Sequence, residues 1–234
     1  MLRRIKKDFR FTKSELFQLF LTSLAFGILM ALRSLEIISK NAFLEKLVIM
    51  TIISYLVLII HFSFEKLYAV AKGITTRYLF SPVACGIGLY LGTLFFNFIF
   101  FLSPGYLFPE INKKRRIGKF RYRTNFMEFS SMCVTGMLGT LFLMGLLMPF
   151  KKYTLVGYFI EISAFVAILS LFPFPRTDGF LMLFGNPFHY AFMIGFTLAF
   201  VALAFLTNLL FTFGISLVLG FAAFMYYLSL TGDL

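Results

Sequence analysis

His61 and Glu65 stand four residues apart near the end of a long apolar run, in "IIHFSFEKLYAVAKGI". On a helix, positions i and i+4 share a face. A neutral imidazole and a carboxylate are both ligands for a zinc-type ion. Ionisable groups inside a membrane span are costly, so each is a functional hypothesis in its own right. The competing reading is a helix-end pair at headgroup level, with Glu65 partnered by a nearby lysine. A second signal lies in "LSLFPFPRTDGF", residues 169–180, where Pro173 and Pro175 stop an apolar span and Asp178-Gly179 follows. An Asp at that depth needs a partner or a metal. Arg176 is the nearest candidate, and a simple ion pair is the alternative there. Glu161 falls inside a third apolar run, where it must be neutral, paired or turned to a wet cavity.

The elements that position these residues follow from composition. The chain has 234 residues, 60% hydrophobic and 14% charged, with mean hydropathy +0.89. A soluble domain is about half apolar and a quarter charged. Residues 1–234 therefore form a single polytopic membrane domain. Its polar stretches, 1–15, 34–46, 65–78 and 104–128, are too short for a soluble one. Apolar runs long enough to span lie at 16–33, 44–63, 129–149, 154–172, 187–206 and 208–229. The N-terminal run continues to Leu32 without a small-residue cleavage site, which favours a retained first span.

The net charge is +12, with six basic residues in "MLRRIKKDFRFTK" and seven in "INKKRRIGKFRYR". Short basic segments beside spans stay cytoplasmic. Residues 1–15 are thus expected as a cytoplasmic N-terminus and 104–128 as a basic cytoplasmic loop of a multi-pass cell-membrane protein. These charges face lipid headgroups, and no nucleic-acid partner is expected. The run 79–103 carries Pro82, Gly86, Gly88 and Gly92 in its first half and either spans or re-enters. A re-entrant dip keeps both basic segments on one side, with Lys151 and Lys152 opposite. His61, Glu65 and Asp178 are then all expected toward the cytoplasmic ends of their spans.

The remaining residues have plain readings. Cys85 and Cys133 lack metal or disulfide spacing. His189, after "GNPF", is an interfacial histidine. The 35 phenylalanines pack the core and face lipid, and Gly136, Gly139 and Gly145 allow close helix packing.

Taken in order, the motifs resemble the site-2 protease family of intramembrane zinc metalloproteases, in its archaeal-type branch. The family's H-E-x-x-H followed by Gly-Ile lies over "HFSFEKLYAVAKGI", in register at Gly73-Ile74. Its N-x-x-P-x-P-x-x-D-G lies over "SLFPFPRTDG", and its A-G-P-x-x-N over "TGMLGT", residues 135–140. The opening "FTKSELFQLFLTSLAFGI" is also similar, and the likeness fades after about residue 190. The resemblance implies an all-α membrane core of about six spans plus a re-entrant segment. It implies a zinc held by residues matching His61, Glu65 and Asp178, and a groove that admits a transmembrane segment.

The departures fall on the chemistry. The general-base position is Phe62, and the second histidine is Glu65. The middle-motif Pro and Asn are Met137 and Thr140, and the last-motif Asn is Ser170. A phenylalanine accepts no proton, and loss of a general base costs about 10²–10⁴ in rate. Thr140, Ser170 and Glu161 are the residues left to line a substrate or partner groove. The expected function is a pseudoprotease that binds membrane-protein segments, without confident catalytic residues. The weight lies on no cofactor, against zinc or another divalent ion. Two carboxylates with one imidazole favour a harder ion than the parent site. A metalloprotease with altered ligands, and a transporter using Glu161 and the Asp178–Arg176 pair, are the alternatives.

Overall fold

The computed structural model describes residues 9–32, 40–94, 105–110, 126–175 and 177–231. The protein is an all-α membrane protein. Six of its helices are long and apolar enough to cross a bilayer. These are α1 (Lys13–Leu32), α2 (Lys40–Ala71), α4 (Phe126–Leu147), α5 (Thr154–Leu171), α7 (Pro187–Ala204) and α8 (Leu209–Thr231). The shorter elements are α3 (Pro82–Leu94), α6 (Asp178–Gly185) and two strands, β1 (Thr75–Leu79) and β2 (Tyr106–Glu110).

Local chemistry sets the ends. Thr12 and Glu15 cap α1 reciprocally: the Thr12 amide donates to Glu15 Oε2 (2.6 Å) and the Glu15 amide to Thr12 Oγ1 (3.2 Å). Phe172, extended at φ −66° and ψ 130°, ends α5 just before Pro173. Thr177 caps α6, accepting from the Phe180 amide. Asn186 caps α7, with Pro187 in the first turn.

Side-chain contacts fix the directions. Glu65 lies against Gly136, Phe64 against Gly139, and His61 bonds Thr140, so α2 and α4 are antiparallel. Phe188 meets Tyr227 while Phe196 meets Phe213, so α7 and α8 are antiparallel as well. The Gly185 end of α6 reaches the Phe126 end of α4, and His189 bonds Ser130 (3.0 Å). One face of the bundle therefore carries the start of α1, the end of α2, both strands and the start of α4. It also carries the junction of α6 and α7 and the end of α8. The turn containing Lys151 and Lys152 is on the other face.

The segment after α2 departs from expectation. Strands β1 and β2 pair antiparallel, with Leu79 opposite Tyr106. Both ends of the intervening stretch thus lie on the same face. No strand is apparent in the sequence here, because the polar stretches read as loops. Two causes act together: Gly73 (φ 77°) and Gly105 (φ 88°) supply left-handed turns, and α1 satisfies outward amides of β1. Tyr78 N donates to Glu15 Oε1 (3.0 Å), and Phe80 N to Gln18 Oε1 (3.0 Å). From there α3 rises beside α1, and Gly92 lies against the Leu29 side chain. Its 13 residues cover about 20 Å of helix. Residues 95–104, in the expected dip, and 111–125, in the expected basic loop, lie outside the described residues.

A second correction concerns the length of α2. Helix α2 continues to Ala71, ten residues past His61, instead of ending near residue 63. Lys66 allows this because it is buried and neutralised. Its Nζ donates to Glu15 Oε1 (3.0 Å), Glu15 Oε2 (3.2 Å) and the Arg10 carbonyl (3.2 Å), over the Phe11 ring. The core is divided among three clusters: α1, α2 and α5 with the strands around Phe26 and Phe62; α4, α5 and α7 around Met144 and Phe200; and Cys133, Met137, Leu171, Met182 and Met193.

Candidate metal centre

Helix α2 carries His61 and Glu65 on the face it turns to α4, which is possible because α4 presents glycine there. A Cβ on Gly136 would meet Glu65 Cγ and lie 2.7 Å from Glu65 Oε1; one on Gly139 would meet the Phe64 ring. Asp178 arrives from the break between α5 and α6. Gly179 tucks against the Leu171 and Phe172 carbonyls, where any Cβ would collide with backbone. The helix is thus interrupted so that its second half starts with Asp178 pointing into the bundle. Irregular backbone of this kind is tolerated at membrane depth only where protein surrounds it.

The structure brings His61, Glu65 and Asp178 together, with one ligand atom from each within 4.8 Å of the others. His61 Nε2 is 2.9 Å from Asp178 Oδ2 and 3.4 Å from Glu65 Oε1. All three residues are at most 1% exposed. Along the span Phe126–Phe150, Gly136 and Thr140 each stand ten residues, about 15 Å, from the nearer end. With a hydrocarbon core of about 30 Å, the cluster sits near the middle of this span.

Hydrogen bonds fix the imidazole. Thr140 Oγ1 donates to the Gly136 carbonyl (3.1 Å) and lies 2.9 Å from His61 Nδ1. A hydroxyl has a single proton, so Thr140 accepts the Nδ1 proton, and Nε2 faces the carboxylates. A proton or a cation must stand between Nε2 and these oxygens, since lone pairs otherwise oppose one another. Glu65 Oε1, Glu65 Oε2 and Asp178 Oδ1 are buried without a hydrogen-bond partner. Buried polar atoms in native proteins have partners, and three orphaned carboxylate oxygens around one imidazole nitrogen fit a cation.

Phe62 is fully buried. Its ring meets His61 edge-on (5.0 Å, 87°) and packs on Tyr78 (4.8 Å). Burial pushes the Tyr78 phenol up, so it stays protonated and donates to Thr22 Oγ1 (2.7 Å). The wall beside His61 is therefore aromatic and dry.

The other residues singled out from sequence lie apart. Ser170 is fully buried and its hydroxyl has no hydrogen-bond partner, so it makes no hydrogen bond to His61. Glu161 is half-buried in a groove between α5 and α7 with Ala164, Phe165, Ile168 and Val201, away from the triad. Arg176 lies outside the described residues; among the described ones Asp178 pairs with His61. His189 bonds Ser130. The buried Glu15–Lys66 pair is absent from the sequence reading, although the T-x-x-E cap "TKSE" is a legible signal for Glu15.

Comparison of the chain with protein-family models, with curated proteins and with solved structures gives no match, so the family likeness rests on the motifs alone.

Proposed function

We propose that this chain is a site-2-protease-like membrane protein that holds a divalent cation inside its helical bundle without hydrolysing peptide bonds. The supporting observation is the convergence of His61 Nε2, Glu65 and Asp178 with three orphaned carboxylate oxygens. His61, Glu65 and Asp178 would hold the ion, and Thr140 would keep His61 in the tautomer that offers Nε2. A bound cation of this kind acidifies water and polarises carbonyls.

Hydrolysis needs a base as well. Phe62 supplies none, and both carboxylates near His61 belong to the ligand set. Glu65 is fully buried against Gly136, inside the ligand set. On this reading the bundle is a binding module for a transmembrane segment of another protein, the partner class that the resemblance implies. An apolar groove of about 480 Å³ lined by Ile52, Ile53, Leu155 and Phe159 offers matching chemistry at the face opposite the strands. The basic N-terminus and residues 104–128 face the cytoplasm, and 79–103 re-enters from that side; the pairing of Leu79 with Tyr106 supports this.

The test is metal analysis of protein purified in detergent. About one divalent ion per chain is expected, lost in His61→Ala and in Asp178→Asn. No ion in the wild type after loading with zinc or manganese overturns the reading. A cleavage assay on an unfolded membrane substrate separates the altered-ligand protease, which the same convergence favours. Turnover by wild type establishes that reading, whereas turnover only in Phe62→Glu/Glu65→His establishes an inactive site on an intact scaffold.

A further inference from the structure

Resting on the reading of this cluster as a cation site, we infer that Glu65 is the residue that sets metal specificity, moving the site from zinc toward a hard, oxygen-seeking divalent ion of the manganese class. The donor set carries the argument. His61 contributes one nitrogen, Nε2, because Nδ1 is committed to Thr140 at 2.9 Å. The two carboxylates contribute four oxygens, of which Glu65 Oε1, Glu65 Oε2 and Asp178 Oδ1 have no other partner. The three residues thus hold one available nitrogen against four carboxylate oxygens, and one ligand atom of each lies within 4.8 Å of the others. Zinc favours four-coordinate sites rich in imidazole or thiolate. Higher coordination numbers with carboxylate oxygens suit manganese and its harder neighbours.

Two further observations single out Glu65. Neither of its oxygens has a hydrogen-bond partner, with Oε1 3.4 Å from His61 Nε2, whereas Asp178 Oδ2 bonds His61 at 2.9 Å. Its stem occupies the space that the missing side chain of Gly136 leaves, so α4 makes room for this carboxylate in particular. Cys133 packs among Met137, Met182 and Met193 and its side chain reaches Asp178, but it is not one of the converging group. The three converging ligand residues thus include no sulfur. Zinc binds most nitrogen and oxygen sites more tightly than manganese, so specificity is read as the ratio of the two affinities, not as their order.

The experiment measures Mn²⁺ and Zn²⁺ binding to the full chain in detergent. Calorimetric competition gives the ratio, and manganese electron paramagnetic resonance gives a readout independent of activity. Glu65→His is expected to raise the preference for zinc over manganese at least tenfold, and Glu65→Gln, which keeps the shape, to weaken manganese more than zinc. Loss of the bound-manganese spectrum in both variants, with zinc retained, supports the assignment. An unchanged or lowered zinc preference in Glu65→His overturns it, as does equal weakening of both ions in Glu65→Gln. If the folded wild type binds neither ion, the cation site itself fails, which is a different outcome. Thermal unfolding of each variant reports whether it is folded, and Glu65→Gln alone decides if the histidine does not fit beside Gly136.

Discussion

Thr140 and His61, 79 residues apart in sequence, meet at 2.9 Å in the centre of the bundle. The contact decides which imidazole nitrogen faces Glu65 and Asp178. Thr140→Val keeps the side-chain shape but removes the acceptor for Nδ1. Metal affinity is expected to fall about 10–100-fold, the usual loss for a residue that orients a ligand. Thr140→Ser, which keeps the hydroxyl, is expected to restore most of it. Calorimetric titration of the two variants checks this; equal affinities would mean that the hydroxyl does not orient the ring.

The glycines that let the ligands approach differ in what surrounds them. A methyl on Gly136 meets the Glu65 side chain, which can yield; one on Gly179 meets the backbone of Leu171 and Phe172, which cannot. Overpacking a close contact costs about 1–3 kcal/mol. Gly179→Ala is therefore expected to lower the unfolding temperature more than Gly136→Ala does. Gly136→Ala is expected to lose metal binding first. Thermal melts with and without added ion measure both effects.

Glu15 and Lys66 form a buried pair, each about 2% exposed in its side chain, that ties α1 to α2 and to β1. Removing one partner of a buried pair strands the other and costs about 3–5 kcal/mol. Lys66→Met leaves Glu15 with the Thr12 and Tyr78 amides, so its loss is expected at the lower end of that range. Glu15→Leu combined with Lys66→Met is expected to recover stability relative to Lys66→Met alone. Denaturation in mixed micelles gives the three values, and a double variant weaker than the single would refute the pairing.

The strand pair makes a topological prediction. Phe108 on β2 is about half exposed and lies on the same face as the start of α1, while Lys151 lies on the opposite face. In oriented membrane vesicles, Phe108→Cys and Lys151→Cys are expected to react with an impermeant thiol reagent from opposite sides. The native Cys85 and Cys133 are both buried and remain slow to react. Labelling of both variants from one side would overturn the assignment of faces.

The spans were legible in sequence because each is a continuous apolar run, and bilayer thickness translates run length directly into helix length. His61, Glu65 and Asp178 were legible as chemistry, because ionisable groups stand out against an apolar background. Thr140 was named from its motif position, but its bond to His61 needed the packing of α2 on α4. The strands were not legible. Five-residue segments such as "TTRYL" carry little pattern of their own, and their outward amides are satisfied by Glu15 and Gln18, more than 60 residues away. The length of α2 was likewise not legible, since Lys66 reads as a headgroup charge until Glu15 is found beside it. Sequence by itself determined that this is a helical membrane protein of about six spans, with 79–103 left open, and which polar residues its spans must accommodate, because transfer into lipid depends on composition and length. Only the tertiary structure decided that three of those residues share one buried point, because convergence depends on glycine-sized gaps between helices and on a break that aims Asp178 inward, and neither can be read from one helix alone.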